Sequence, residues 1–533
     1  MAALKRPPVL HPFLFAPFPI LALYAHNIRD IPVPLKEIVV PLALALGTAA
    51  VLYLVFAALF RSPGKAGLAA SLIVLWILSF GHLTTWLSVW TGGIFDRSLF
   101  FATAVLVLLA VALIGRRPSE PGALTRVLNV IAATLVIINA ASIVQTAARR
   151  PRIPAGEDVR TSRPAAARPD IYYLVLDAYA RADVLGEVFG FDNTPFVRGL
   201  EARGFTVAGR SYANYNLTQQ SLASTLNMTY LDGLAKDVGY ASSDREPLYA
   251  MIRGNRVMSF LKSQGYRVVT VSSSIEPTDF RGVDRYFGFA LSESEFRSVL
   301  LDTTPWPLFF GSRRSAESYD AHRGRILNAF RSLEQAPFEK GPFFMFVHIM
   351  APHPPFVLGP NGEAREPNYL FSMVDADRLH GNEPRAVADY IVRYREQLAF
   401  LNTRILAAVD AILARSADPP VIVIQGDHGS RAYADLDRPE ASYLEENLAI
   451  LNAFHLPGPA GGSAYPEITP VNTFRLIFRG YFNADLELLP DASAWTTWRR
   501  PYRFLPFDAA AYTGSIGSAK AERRPEAPAV QRR

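Results

Sequence analysis

Cysteine is absent from the 533-residue chain. Its absence excludes disulfide bonds, zinc sites built on thiolates and cysteine nucleophiles. The chain also has little net charge: 54 lysines and arginines against 48 aspartates and glutamates give +6, and there is no lysine-rich tail. Nucleic acid is therefore not expected as a partner. Anionic lipid headgroups or phosphorylated substrates fit this charge better, and a solvated basic surface is the simpler alternative.

Charged residues are scarce over the first 150 positions, where long apolar runs dominate, whereas the rest of the chain alternates charged and apolar residues. A helix of about 20 apolar residues crosses the roughly 30 Å hydrocarbon core of a bilayer. The sequence therefore predicts a multi-pass transmembrane domain over 1–146, in the inner or plasma membrane, with five spanning segments at 9–26, 38–60, 67–90, 98–115 and 126–146. The first segment is short and carries three prolines, which favour a kinked or re-entrant helix.

Lysine and arginine in the short loops predict the orientation of these segments. If the five segments alternate in direction, one side of the membrane receives Lys5, Arg6, Arg61, Lys65, Arg116, Arg117 and Arg126. That side is expected to be cytoplasmic, which places the rest of the chain in the periplasm or outside the cell. Further arginines between 149 and 163 oppose this orientation, but long translocated domains follow the charge rule poorly.

Beyond the apolar region, residues 147–169 are rich in Arg, Pro and Ala without periodicity, which is typical of a linker. From 170 to 510, strand-like apolar runs alternate with helical patterns, which predicts an α/β sandwich around a mostly parallel sheet. Residues 511–533 have the composition of a disordered tail. In α/β sheets of this kind, ligands bind outside the carboxyl ends of the strands.

Metal-binding residue types follow two of the predicted strands. Asp177 ends the apolar run 171–176, and Asp427-His428-Gly429 follows the run 421–424. Adjacent residues at a strand end can present a carboxylate and an imidazole to one ion when a glycine lets the chain turn away. A hydrogen-bonded turn aspartate is the alternative interpretation, although two charges at the ends of buried strands need partners. These ligands suit one divalent cation, which can be Mn, Zn, Mg or Ca.

Hydroxyl groups and histidines provide the remaining candidate residues. The stretch 214–227 is predicted to be a loop that enters a helix, and hydroxyls at the helix start are either N-caps or nucleophiles activated by the helix end and a metal. Prolines flank His353, and this stiff setting suits contact with an anionic oxygen or protonation of a leaving group. His348 ends a predicted strand and is either a substrate contact or a buried structural histidine.

In combination, these motifs resemble the sulfatase-like branch of the alkaline phosphatase superfamily, which includes lipoteichoic acid synthases and phosphoethanolamine transferases. The segments 193–200 and 390–402 also resemble helices of that family, so the likeness covers roughly 170–460. It implies a sulfatase-like α/β/α catalytic domain, and His353 as the residue that contacts the substrate phosphate or sulfate. It also implies a metal site formed by Asp177, Thr218, Asp427 and His428, with Thr218 as the nucleophile.

The expected nucleophile distinguishes this chain from true sulfatases. Their formylglycine forms from Cys or Ser in a Cys/Ser-x-Pro-Ser-Arg context, whereas this chain has threonine at position 218 and serine at 221. Thr218 is preferred over Ser221 because the family nucleophile lies three residues before the serine of that pattern. The resemblance therefore implies a membrane-anchored phosphotransferase or phosphoesterase, which moves a headgroup from a phospholipid through threonine to an envelope glycan or lipid.

Other functions stay open on the sequence alone. The alternatives are a sulfatase-like sulfuric ester hydrolase and a catalytically inactive membrane scaffold or accessory protein. Candidate ligands for a second metal are Asp375, Asp377, His380 and His455, but their spacing matches no known pattern, so a single-metal site is favoured. A transporter is disfavoured because polar residues within the spans, such as His82, are isolated.

Overall fold

A computed structural model describes residues 7–28, 33–91, 96–148, 159–162, 168–273, 275–289, 295–336, 341–365, 384–512 and 514. The chain divides into two compact units. The helical unit comprises residues 1–150 and 293–315, and the α/β unit comprises residues 151–292 and 316–533. Most of the predicted linker and nearly all of the predicted tail lie outside the described residues. Tyr512, within that predicted tail, accepts a hydrogen bond from the backbone of Leu444 at 2.9 Å.

The helical unit contains four long apolar helices within its described residues. They are α3 (Lys36–Phe60), α4 (Pro63–Thr91), α5 (Asp96–Arg116) and α6 (Gly122–Ala148). Each is long enough and apolar enough to cross a membrane, by length and composition. The outer surfaces of these helices are rich in exposed leucine and valine, an arrangement that water would disfavour.

The first predicted span, 9–26, is a pair of short helices, α1 (His11–Phe15) and α2 (Phe18–Asn27). The pair is broken at Ala16 and Pro17 because Pro17 and Pro19 have no amide hydrogen to continue the helical bonds. Backbone amides at the start of α1 donate to Asn129 near the start of α6. Tyr24, near the end of α2, belongs to the same apolar cluster as Ile143 near the end of α6. The broken pair therefore lies alongside α6.

The α/β unit is built on a mostly parallel sheet, as predicted. Its strands are β1 (Ile171–Leu176), β2 (Thr206–Val207), β3 (Arg267–Val271), β4 (Arg285–Phe287), β5 (Phe343–Ile349), β6 (Val421–Gly426) and β7 (Asn452–His455). Among the described residues the sheet order is β2-β7-β6-β1-β5-β3-β4. Strands β6, β1, β5, β3 and β4 are parallel, and β7 and β2 are antiparallel at one edge. A separate hairpin pairs β8 (Ser493–Trp495) with β9 (Leu505–Phe507).

Helices cover both faces of the sheet, because successive side chains of a buried strand point to opposite faces. The helices of the unit are α7 (Ala182–Phe189), α8 (Thr194–Glu201), α9 (Thr218–Asn227), α10 (Asp232–Val238), α11 (Glu246–Arg253), α12 (Arg256–Ser263), α15 (Pro384–Arg415), α16 (Leu444–Leu448) and α17 (Thr473–Phe482). Tyr172 and Leu174 pack in the apolar layer that holds residues of α7, α8 and α15. Tyr173 and Val175 pack in the opposite layer, with residues of α9, α11, α12 and α17. The predicted α/β/α sandwich is confirmed.

Two further helices lie between β4 and β5. Helix α13 (Glu295–Asp302) belongs to the helical unit, as does the start of α14 (Trp306–Gln335), whereas the rest of α14 belongs to the α/β unit. Helix α15 also passes the length and hydropathy criteria for a membrane span. It is a core helix instead, because Leu398, Leu401 and Ile405 are fully buried in the α/β unit.

The register of the central strands positions the candidate site. Leu176 pairs with Ile349 of β5 on one side and with Gly426 of β6 on the other. The residues that follow these three parallel strands therefore emerge at the same edge of the sheet.

Candidate metal and nucleophile site

Asp177 follows β1 directly and is 1% exposed. Its backbone is fixed on both sides, since its amide donates to the carbonyl oxygen of Ile349 at 3.0 Å and its own carbonyl accepts from the amide of His353 at 3.0 Å. Neither carboxylate oxygen has a hydrogen-bond partner. Burial raises the pKa of this carboxyl, but the surrounding imidazoles of His353, His348 and His428 outweigh burial and hold the pKa below its ordinary value.

The backbone immediately after Asp177 is strained. Ala178 has φ of +64°. This conformation is unfavourable for any residue other than glycine, and residues that adopt it are often found at functional sites. The conformation is held by two side chains: the amide of Ala178 donates to Asp427 at 3.2 Å, and its carbonyl accepts from the Tyr394 hydroxyl at 2.8 Å. This backbone conformation turns the chain away from the sheet edge directly after Asp177.

Asp427 and His428 emerge from β6 between two glycines that have no room for a side chain. A Cβ atom on Gly426 would lie 2.6 Å from the carbonyl oxygen of Tyr179, and one on Gly429 would lie 2.2 Å from that of Glu446. Oδ1 of Asp427 accepts hydrogen bonds from backbone amides, whereas Oδ2 is buried without a partner. Burial and the nearby Asp177 charge raise the pKa of Asp427 to about 6.

The ring of His428 is oriented by its own backbone. Nδ1 lies 2.8 Å from the carbonyl oxygen of Gly429, so this nitrogen carries the proton in the neutral ring and Nε2 carries the lone pair. Burial and the positive charge of Arg431 lower the pKa of His428 to about 3. A neutral imidazole therefore faces Asp177, with Nε2 3.5 Å from Oδ1 of that carboxylate.

These three side chains fit a metal ion. One ligand atom from each of Asp177, Asp427 and His428 lies within 4.8 Å of the others, and all three residues are buried. Buried carboxylate oxygens without hydrogen-bond donors are costly, and a cation between them would remove that cost. Two carboxylates and one imidazole are ligands that Zn, Mn and Mg accept.

Thr218 is the first residue of α9 and is half-buried. Its Oγ1 lies 3.3 Å from Nε2 of His428, and the nearby Thr218 hydroxyl opposes the rise in the pKa of Asp427. The amino end of α9 adds a partial positive charge at this position. Ser221, the other candidate hydroxyl, is buried and has no hydrogen-bond partner. Thr218 is thus the hydroxyl that the fold brings to the metal-competent residues.

His353 lies beside the same group. Its ring centroid is 6.4 Å from that of His428, and its Nδ1 bonds to the carbonyl oxygen of Pro354. With Nδ1 bonded in this way, Nε2 is the atom left for another partner. Burial is the main cause that lowers the pKa of His353, and the Asp177 charge opposes that shift.

His348 contacts the metal-competent group from β5. Its Nε2 is 3.3 Å from Oδ2 of Asp177, and its Nδ1 is 3.0 Å from Oγ1 of Thr278. Both histidine and threonine are almost completely buried. This placement suits a residue that orients Asp177, whereas the sequence left both a substrate contact and a buried structural role open for His348.

Two residues at the site escaped the sequence analysis. Nη2 of Arg431 lies 2.9 Å from Nε2 of His428. His322 of α14 is completely buried, and its pKa is lowered to about 3 by burial and by the positive charge of Arg325. A signal for His322 exists, since it shares a helix face with the core residues Tyr319, Ile326 and Phe330; a histidine at such a position is unusual.

Of the predicted second-metal candidates, His455 is the one that the structure describes, and it does not join the site. His455 pairs with Ile422 near the start of β6, four residues before Gly426, which is about 13 Å away at the rise of a strand. Its Nδ1 lies 2.8 Å from the carbonyl oxygen of Pro420 instead. Asp375, Asp377 and His380 lie outside the described residues. His82 is an exposed residue of α4.

Several solved structures are similar to this chain at low identity. The C-terminal periplasmic domain of EcEptC from Escherichia coli, in complex with Zn, is 12% identical, with a TM-score of 0.43 over 67% of this chain and 100% of that chain. The soluble domain of lipooligosaccharide phosphoethanolamine transferase A from Neisseria meningitidis is 12% identical, with a TM-score of 0.38 over 61% and 91%. Lipoteichoic acid synthase LtaP from Listeria monocytogenes is 14% identical, with a TM-score of 0.35 over 66% and 80%.

No protein of curated function matches the chain in sequence. A family model described as Sulfatase matches residues 169–475, which is more than half of the chain and includes every residue of the site. The predicted relationship is confirmed, and the chain belongs to the sulfatase family.

Proposed function

We propose that this chain is a membrane-anchored, metal-dependent phosphotransferase or phosphoesterase that uses Thr218 as its nucleophile. The observation that supports this proposal most is the position of the Thr218 hydroxyl, 3.3 Å from Nε2 of His428, next to three buried carboxylate oxygens of Asp177 and Asp427 that lack hydrogen-bond partners. Threonine cannot form the formylglycine of true sulfatases. The threonine therefore favours phosphoryl over sulfuryl ester chemistry in this member of the family.

In this proposal Asp177, Asp427, His428 and Thr218 hold one divalent cation, which is Zn, Mn, Mg or Ca. The cation would stabilise negative charge on the phosphoryl oxygens and lower the pKa of the Thr218 hydroxyl. His348 keeps Asp177 oriented through its contact at 3.3 Å. The strained backbone at Ala178 and the two glycines around Asp427 fix both carboxylates in advance, which reduces the reorganisation needed during the reaction.

The protein side chains account for the proton transfers. Oγ1 of Thr218 gives its proton to the Asp427 carboxylate and forms a bond to phosphorus, while the bond from phosphorus to the leaving oxygen of the donor breaks. Burial keeps His353 neutral until an anionic substrate group raises the pKa of the ring. Once protonated on Nε2, His353 donates to the leaving oxygen. An acceptor hydroxyl or water then displaces Thr218 by the reverse sequence.

The apolar helices favour a donor in a lipid bilayer. Helices α3–α6 have the length and composition of membrane spans, and a phospholipid donor would be delivered at the membrane surface. The positively charged loops between α3 and α4 and between α5 and α6 favour a cytoplasmic side opposite to the end of α6. We therefore propose a periplasmic or extracellular catalytic domain, and an envelope glycan or lipid as the acceptor.

The test is to measure three activities of the purified full-length protein in lipid vesicles. Release of diacylglycerol from phospholipid, hydrolysis of an aryl phosphate and hydrolysis of an aryl sulfate are compared before and after metal removal. We expect the first two activities to depend on metal. Acid quenching during turnover should trap a phosphoryl group on the peptide that contains Thr218, detected by mass spectrometry.

The Thr218→Ala variant should lose at least about a thousandfold in turnover, since removal of a catalytic nucleophile typically costs this much or more. Thr218→Ser should retain measurable activity. Thr403→Ala, which changes an exposed threonine of α15, serves as the matched control and should be fully active. Sulfate turnover that persists in Thr218→Ala would overturn the nucleophile assignment, and metal binding without any esterase activity would support the inactive-scaffold alternative.

A further inference from the structure

The segment 295–310 is inserted in sequence between β4 and β5 of the sheet, yet it belongs to the helical unit. It comprises α13 and the start of α14, joined by a short turn at residues 303–305. We call it the insertion. Its buried face is formed by Phe296 and Leu300, which join the apolar cluster of the helical unit.

The insertion contacts three of the long apolar helices. Nε of Arg297 lies 3.1 Å from the Glu37 carboxylate at the start of α3. The amide of Gly81 in α4 donates to the carbonyl of Thr303 at 2.8 Å. At α5, the ring of Phe309 packs edge-on against Phe100 at 5.1 Å. These contacts include hydrogen bonds, an ion pair and ring packing, so the insertion is a built part of the helical unit.

Gly81 shows how closely the insertion approaches α4. A Cβ atom at this position would lie 1.9 Å from the carbonyl oxygen of Asp302 and 2.7 Å from Cα of Thr303. Only glycine permits this approach. Because the mid-helix amide of Gly81 donates to Thr303, the helix is locally adjusted at this point. The hydroxyls of Thr84 and Thr85 donate to the carbonyl oxygen of Gly81.

The contact points share one depth along the helices. Gly81 lies 18 residues after Pro63 at the start of α4, which corresponds to about 27 Å of helix. Arg97 lies 19 residues before Arg116 at the end of α5, about 28 Å by the same rise, and its Nε is 3.3 Å from the carbonyl of Leu308. If Pro63 and Arg116 mark one face of a hydrocarbon core about 30 Å thick, the insertion would lie near the opposite face.

The outer face of the insertion is apolar and aromatic. Trp306 is 46% exposed, Phe309 47% and Phe310 46%, and Val299 of α13 is 39% exposed. The ring centroids of Trp306 and Phe310 lie 4.3 Å apart, so that the two rings form one continuous patch. Water would disfavour such a patch, whereas tryptophan and other aromatic side chains are enriched at the boundary of a bilayer.

We propose that the insertion is an interfacial membrane element, whose Trp306, Phe309 and Phe310 contact the headgroup and upper acyl region of the lipid leaflet on that side. The occupant of the patch is lipid because Phe309 packs against Phe100 of α5, which places the patch beside the exposed apolar surface of that helix, including Phe101 and Val105. The α/β unit would thereby be connected to the bilayer through the insertion as well as through α6. This inference does not depend on the proposed reaction.

The absence of native cysteine provides a direct test. Single-cysteine variants Phe310→Cys and, separately, Trp306→Cys are labelled with a fluorophore in the full-length protein and reconstituted into phosphatidylcholine–phosphatidylglycerol vesicles. We expect both labels to be quenched by phospholipids that carry a nitroxide high on the acyl chain, and to be protected from a water-soluble quencher. Two sites guard against one variant that fails to fold.

Two exposed positions calibrate the depth. Leu108→Cys in the middle of α5, 64% exposed, should respond to a nitroxide deep in the acyl chain, and Tyr240→Cys in the α/β unit, 59% exposed, should respond to the water-soluble quencher alone. Insertion labels that behave like the label at position 240 would overturn the proposal. Labels protected from lipid and aqueous quenchers alike would also overturn it, because protein would then cover the patch.

Discussion

Nη2 of Arg431 lies 2.9 Å from Nε2 of His428. Since Nδ1 of that ring bonds to the carbonyl oxygen of Gly429, Nε2 has a lone pair, and the guanidinium donates to it. This lone pair is the one with which His428 would bind a cation beside Asp177. Arg431 and a metal ion therefore compete for the same atom, and the positive charge of Arg431 also repels a cation.

The Arg431→Met variant should bind a divalent cation more tightly than the native chain. Methionine retains much of the side-chain volume while it removes both the competing hydrogen bond and the repelling charge. We expect a gain in affinity of about tenfold, which corresponds to roughly 1.4 kcal/mol, a magnitude typical of a hydrogen bond to a charged group. The measurement is a chelator-competition titration of the full-length protein in detergent.

Arg438→Met is the matched control for this measurement. Arg438 lies seven residues further along the same loop and forms an ion pair with Asp435 at 2.9 Å, so its removal should leave the affinity unchanged. Equal affinities for the native chain and Arg431→Met would show that Arg431 leaves His428 free in solution. A weaker affinity in Arg431→Met would mean that the arginine supports the site.

Gly429 is expected to tolerate no side chain. A Cβ atom there would overlap the carbonyl oxygens of Glu446 and Ala449, at 2.2 and 2.7 Å, so Gly429→Ala must displace backbone and should destabilise the fold by about 3 kcal/mol. In contrast, a Cβ atom on Gly186 of α7 meets nothing within 4 Å. Gly186→Ala should stabilise by about 0.5–1 kcal/mol through helix propensity. Thermal unfolding of both variants in detergent measures the difference; equal effects would contradict the close packing at Gly429.

The sequence was sufficient to predict the residues at the strand ends. Asp177 and Asp427 each follow an uninterrupted apolar run, and parallel strands place their carboxyl ends at one edge of a sheet. The register of β1 with β5 and β6 then brings both carboxylates together. Local pattern and general topology agree here, so sequence reasoning finds them.

Arg431 could not be predicted in this way because its position depends on the path of a loop. That path is set by Glu446, which accepts hydrogen bonds from the hydroxyl of Ser430 and the amides of Ala432 and Tyr433. No periodic pattern connects a carboxylate with a loop so many residues before it. The insertion was not predicted for a similar reason. Its membership of the helical unit depends on tertiary packing at Gly81 rather than on its own sequence.

Metal should change the stability of the α/β unit in a manner that depends on Asp427. Without a cation, Asp427 and Asp177 repel each other, and this repulsion together with burial raises the pKa of Asp427 to about 6. Asp427→Asn removes the repulsion and should raise the stability of the chelator-treated protein at neutral pH by about 1–3 kcal/mol. The same variant should lose most of the gain in Tm that added metal gives to the native chain.

Tm values with chelator and with each candidate cation test this expectation. Asp435→Asn, a partly exposed aspartate of the loop after β6, is the control and should keep the full metal-dependent gain. A lower Tm of Asp427→Asn in the presence of chelator would contradict the expected repulsion between the Asp177 and Asp427 carboxylates.

Asp170 is expected to make stability depend on pH at a distance from the site. It precedes β1, and its Oδ1 accepts from the amide of Phe343 at 3.2 Å. Burial, with a contribution from the Asp418 charge, raises the pKa of Asp170 to about 6, although the Phe343 hydrogen bond opposes the rise. An acid with a raised pKa binds its proton more tightly in the folded state, so stability falls as the pH increases from about 4 to 6, and the cost is complete above pH 6.

Asp170→Asn keeps the acceptor for Phe343 and removes the charge. We expect the variant to be more stable than the native chain above pH 6, by about 1 kcal/mol after allowance for the partial solvent exposure of this residue, and equally stable near pH 4. Asp418→Asn should give a smaller gain over the same range, and that gain should vanish in the Asp170→Asn background because it acts through Asp170. Tm measured from pH 4 to 8 in detergent checks both; an Asp170→Asn curve parallel to the native one would contradict the raised pKa.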